Sequence, residues 1–138
     1  IPALAQLNSG LGRGVNFGGM LEAPNEGEWG LTMRPSFFDK VVQAKMDHIR
    51  LPISWTYHAL KTPPYTIDPT FFQRIDWAIL QAERRNLKII INNHHYAEIN
   101  ENPAAEHDRA VAIWQQIANR YKSKSANVYF EILNEPHG

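Results

Sequence analysis

Four short apolar runs, at residues 14–17, 48–53, 87–92 and 128–133, punctuate this chain of 138 residues. Their starts lie roughly 35 to 40 residues apart, about one strand-plus-helix unit with a generous loop. Helical patterns fill the gaps. The first, 36–46, carries Phe37, Val41, Ala44 and Lys45, with Ser36 after Pro35 as the expected N-cap. The second opens on Asp68 as N-cap with Pro69 at the first helical position. Its apolar residues Phe71, Phe72, Ile75, Ala78, Ile79 and Ala82 recur at the spacing of one helix face. Asn86 is suited to end it in the left-handed conformation. The third, 107–121, has Ala110, Ile113, Trp114, Ile117 and Tyr121 on one face.

Strand–helix alternation of this kind implies parallel strands joined by right-handed crossovers. The run Ile89-Ile90-Ile91 suits a strand covered on both faces. No linker or low-complexity tract interrupts the chain, which reads as one α/β domain over 1–138. Two architectures fit: a small open doubly wound sheet, or half of a (β/α)8 barrel. Periodicity alone does not choose between them.

Composition narrows the partners. Lys plus Arg and Asp plus Glu are balanced at 14 each, so there is no electrostatic reason to expect nucleic acid or an anionic membrane. Apolar stretches such as 87–91 are far too short to span a bilayer. The absence of cysteine excludes disulfides and thiolate chemistry. Ile1-Pro2-Ala3 lacks the charged start and long apolar core of a signal peptide. Aromatic residues, at 11%, are abundant enough for sugar-stacking surfaces, though each one could equally be core.

What separates the two architectures is polarity at the strand ends. The first strand ends near Asn16, before a loop carrying Glu22 and Trp29; the second carries Arg50 and runs into Trp55. The third ends in Asn92-Asn93-His94-His95-Tyr96 and the fourth in Asn134-Glu135. Hydrogen-bonding groups at the C-terminal end of every strand match the catalytic face of a barrel. An open sheet would use the same end for a nucleotide, but the glycines here follow neither phosphate-loop fingerprint.

These residues resemble glycoside hydrolase family five, the cellulase family. The resemblance rests on Arg13-Gly14-Val15-Asn16-Phe17-Gly18, His48-Ile49-Arg50-Leu51-Pro52, Asn93-His94-His95-Tyr96 and Phe130-Glu131-Ile132-Leu133-Asn134-Glu135-Pro136. Leu21-Glu22-Ala23-Pro24 and Pro63-Pro64-Tyr65 extend it over nearly the whole chain, and it is nearest to endoglucanases of thermophilic bacteria, some of which also cut mannan. It implies a retaining, secreted hydrolase of internal β-1,4 links that needs no cofactor or metal. Glu135 would be the general acid/base and Asn134 would bind the sugar 2-hydroxyl. Arg50 would hold the nucleophile ionised, and His94, His95 and Asn16 would bond the sugar at the cleavage point. Glu22, Trp29, Trp55 and Tyr96 would be further substrate contacts. His94 and His95, as neighbours on a strand, would point apart and could not share one ion. Glu131, with the same strand parity as Glu135, would pair with Arg50 or His48 if it points into the barrel.

The family's nucleophile is a glutamate on the seventh strand, and it has no match here. The resemblance therefore implies the first half of the enzyme, a (β/α)4 half-barrel. Its inner face would be exposed apolar surface and its first and last strands open edges. The expected partners are a β-1,4-glucan or mannan oligosaccharide and a second half-barrel, either another copy in a homodimer or a complementary C-terminal half. Alone, the chain would bind sugar with little turnover. The alternative is a non-catalytic, self-assembling half-barrel.

Overall fold

The computed structural model describes residues 10–124 and 126–137. The expectation placed on Ile1-Pro2-Ala3 lies outside the described residues. Four strands, β1 (Gly14–Asn16), β2 (His48–Leu51), β3 (Lys88–Asn92) and β4 (Val128–Glu131), form one parallel sheet in the order β1-β2-β3-β4. Helices α1 (Pro35–Gln43), α2 (Pro69–Glu83), α3 (Ala97–Glu101) and α4 (Pro103–Tyr121) lie in the connections. Sequential parallel order with helices between strands is the arrangement of a partial (β/α) barrel, and it removes the open doubly wound alternative, which reverses strand order.

Proline sets three helix starts. Asp68 caps α2 by accepting from Thr70 N–H at 2.8 Å, as expected. The expected Ser36 cap is corrected: Pro35 takes the first helical position of α1, so extended Arg34 precedes it with no side-chain cap. The third helical region begins earlier than its apolar face indicates, because Asn102 caps α4 through Ala105 N–H and Pro103 starts it. Asn86 is left-handed at the end of α2, with φ of 55°. Lys45 plays the same part after α1, with φ of 53°. In each case the next residue's N–H reaches back into the last turn, Leu87 to Ala82 and Met46 to Val41.

Alternation divides the sheet into two faces. Ile49, Leu51, Ile89, Ile91 and Val128 join a buried cluster with Phe72, Ile75 and Ile79 of α2 and Ile113, Ile117 and Tyr121 of α4. The other face carries Asn16, His48, Arg50, Lys88, Ile90, Asn92, Tyr129 and Glu131, in register across the strands. Gly14 is required here, since a Cβ would collide with the imidazole of His48. The inner face is thus largely polar, which corrects the expectation of exposed apolar surface. Asn16, Arg50, Asn92 and Glu131 are spent on one another rather than on packing. Exposed apolar surface among the described residues includes the outer flank of β4, where Phe130 lies edge-on to Trp114 and Ile132 is 64% exposed.

Candidate active site

Arg50 organises the C-terminal end of the sheet. Its Nε and Nη2 donate to the two carboxylate oxygens of Glu131 at 2.7 and 2.5 Å. Nη1 donates to Asn16 Oδ1 at 2.9 Å, and Nη2 also reaches Asn134 Oδ1 at 2.8 Å. One planar cation therefore links β1, β2, β4 and the loop beyond β4, a use that suits the fixed fork of arginine and not lysine. Glu131 holds Arg50 protonated, and Arg50 in turn holds the Glu131 carboxyl below its ordinary range. The partner of Arg50 within the described residues is Glu131, the structural pairing that strand parity allowed.

Asn92 extends the network. It ends β3 fully buried, and its Oδ1 accepts from Ile53 N–H at 3.0 Å. That commitment turns its amide nitrogen toward Glu131 Oε1 at 3.2 Å and His94 Nδ1 at 3.0 Å. His94 Nδ1 must then accept, so the imidazole carries its proton on Nε2. Burial, and after it the neighbouring His95 and Arg50, favour the neutral ring and lower its pKa. His94 and His95 follow β3 rather than lie on it, and their rings meet edge-on at 4.8 Å. The strand-parity argument against a shared ion therefore does not apply to them.

Glu135 is likewise beyond its strand. β4 stops at Glu131, where β3 also ends and the ladder loses its partner. The chain continues on single bonds, from Asn93 N–H to Glu131 O at 3.3 Å and from Asn134 N–H to Asn93 O at 2.9 Å. Glu135 itself is left-handed, with φ of 45°. It borders an open cleft of about 330 Å³ with His94, His95, Tyr96, Ala97, Asn100, Asn134 and His137. Among these lining residues Glu135 is the one carboxylate.

The remaining expected contacts divide. Trp29 is 52% exposed and meets His95 edge-on at 5.9 Å, so its face is available beside the cleft. Trp55 is 0% exposed, packed on Phe71 and Phe72 with its indole N–H on Asn92 O; it is a core residue, which corrects its place among the sugar contacts. Tyr96 lines the cleft but is tied down. At 2% exposure it turns its hydroxyl onto Glu106 at 2.8 Å, and burial with that carboxylate raises its pKa. Glu22, 7% exposed, accepts from Gly19 N–H and Met20 N–H, so its carboxylate is spent on folding its own loop rather than presented to substrate. Asn92 is the organising residue that sequence reasoning missed. Its signal was an amide closing a triple-isoleucine strand, since a buried amide needs partners.

Comparison with known proteins gives the family. Residues 11–138 match the family model described as cellulase, glycosyl hydrolase family 5. Endoglucanase H of Acetivibrio thermocellus is 41% identical over 93% of this chain, and Endoglucanase A of Paenibacillus barcinonensis is 31% identical over 95%. The chain spans 14% and 37% of those two relatives. Crystal structures of Thermotoga maritima Cel5A, with cellobiose (a mutant form) and with mannotriose, superpose with a TM-score of 0.90 at 48% identity. They cover 93% of this chain, which in turn covers 44% and 42% of them.

Proposed function

The chain belongs to glycoside hydrolase family 5, and from that premise we propose that it supplies the acid/base half of a retaining endo-β-1,4-glucanase site. The observation that carries this reading is the network from Asn16 through Arg50 and Glu131 to Asn92, His94 and Asn134, set beside the cleft that Glu135 borders. Glu135 protonates the glycosidic oxygen as the bond breaks and then takes a proton from the incoming water. Asn134, its Oδ1 held by Arg50, keeps its amide N–H for a sugar hydroxyl. His94 offers Nε2–H to another, and Trp29 with His95 gives the pyranose ring an apolar face. The substrate is a β-1,4-linked gluco- or manno-oligosaccharide, in line with the ligands named for the Thermotoga maritima structures. A polymer of such sugars is too large to import intact, which favours action outside the cell.

Double displacement needs a second carboxylate about 5–5.5 Å from the first. Among the residues lining the cleft, Glu135 has no such companion. The nucleophile therefore comes from a complementary half set against β1 and β4; another copy, which has no match for it, would close the barrel without supplying it. The competing reading, a sugar-binding half-barrel without catalysis, is favoured by the same single carboxylate. Cellotetraose hydrolysis and binding by the chain and its Glu135→Gln variant separate the two. Turnover that appears only when a complementary C-terminal half is added, and is lost with Glu135→Gln, supports an acid/base half awaiting its nucleophile; binding with no turnover even then supports the competing reading. Robust turnover by the chain alone, lost in the variant, would overturn that division of labour, and absence of binding would overturn both readings.

A further inference from the structure

Trp29 stands in the middle of a loop, 26–33, that is closed at its base by a residue far away in sequence. Arg74 of α2 donates from Nε and Nη2 to the two oxygens of Glu26 at 2.7 and 2.8 Å, and from Nη2 to Met33 O at 2.9 Å. Glu26 Oε1 also accepts from Met33 N–H at 2.8 Å, so the two ends of the loop are tied to each other and to one guanidinium. Arg74 is itself fixed, with its guanidinium carbon 4.0 Å from the centre of the Trp77 ring, which lies edge-on to Phe38. Inside the loop, Gly30 N–H reaches Gly27 O and Glu28 N–H reaches Asn25 O. These turns use the left-handed conformation at Gly27 and Gly30. Met33 at the end of the loop is buried in the core, but Trp29 and Leu31 at its tip are exposed, so core burial does not hold the tip in place.

We infer that Arg74 and Glu26 are positioning residues for sugar recognition, acting through Trp29. They hold the loop at both ends so that the indole stands against His95 beside the cleft. A mobile tryptophan would have to be ordered at each binding event; a loop closed in advance has met that cost. Arginine is required because two carboxylate oxygens and a carbonyl are engaged by one plane, which the point charge of lysine cannot reproduce. This inference rests on the sugar-binding reading above and adds the residues that make one of its surfaces rigid.

The test is a double-mutant cycle on the intact chain, with cellotetraose as the probe in calorimetric titrations. Trp29→Ala is expected to weaken binding about two- to tenfold, the range of one aromatic contact. Arg74→Met and Glu26→Gln are expected to weaken it to a similar extent, with Arg74→Lys close to Arg74→Met. In the Trp29→Ala background, Arg74→Met should add nothing, a result that a general structural role would not produce. Deuterium exchange at 27–32 should quicken in Arg74→Met while α2 keeps its protection. Additive losses, or unchanged binding in Arg74→Met, would overturn the inference while leaving the sugar site standing. If the unaltered chain binds no cellotetraose, the site reading fails; unchanged exchange at 27–32 would then sink the clamp separately.

Discussion

His94 is fixed as a donor by a residue that never touches substrate in the proposed arrangement. Ile53 N–H orients Asn92, Asn92 presents its amide to Nδ1, and the ring proton is left on Nε2. The pH response follows from the sign of the shift. The folded state lowers the His94 pKa, so the neutral ring is favoured and its contribution is full above the ordinary histidine value of about 6.5. It fades as the pH falls through the depressed folded value. The Glu131 pKa is lowered too, so its pairing with Arg50 persists through that window and fails only below the ordinary carboxylate range. Protonation puts a hydrogen on Nδ1 against the Asn92 amide N–H, which turns the ring from its position, so oligosaccharide affinity should drop in mildly acid solution while the fold remains intact. An NMR titration of the His94 ring beside binding isotherms checks this; affinity that is flat while His94 protonates would count against the orienting role of Asn92. At this scale Glu135, Asn134, Arg50 and His94 were legible as types of residue in a pattern. Glu131 was legible as a partner of Arg50 or His48; which of the two it meets, and that Arg50 also bonds Asn16 and Asn134, was not, because it depends on strand register and on where β4 stops.

At the scale of single elements, chain chemistry set what could be read. Asp68-Pro69 announced α2 and Asn86 its end, because each residue type favours the backbone conformation found there. The end of α1 was not announced, since Lys45 takes the left-handed conformation without any such preference. Tertiary packing pays for it. Lys45→Gly should raise stability by about 0.5–1 kcal/mol, whereas Asn86→Gly should change it less. Urea unfolding of the two variants measures the difference, and equal shifts would refute the strain argument. The short α3 escaped sequence reading because it has no buried residue and so no apolar face to show periodicity.

For the molecule as a whole, the alternation of strand and helix was enough to give sheet order, while the distribution of polarity over its faces was not. The inner face was expected to be apolar; it carries the Arg50 network, so the surface with most to gain from a partner is the flank of β4. There Val111, Trp114, Ala118 and Ile132 line an apolar groove beside the open strand edge. Association through this flank is the expected behaviour of the isolated chain at micromolar concentration. Val111→Lys with Ile132→Glu should shift the mass seen in sedimentation equilibrium toward the monomer. A monomeric unaltered chain would remove the flank from consideration.

The left-handed backbone of Glu135 bears on how such a protein can be improved. A side chain with a Cβ in that conformation works against the fold, and glycine or asparagine would relieve it. Screening a library for thermal tolerance alone would thus reward loss of the carboxylate before almost any other change at this loop. With the proposed acid/base role of Glu135, robustness and chemistry pull in opposite directions at one φ angle, so any selection on this scaffold has to score both together.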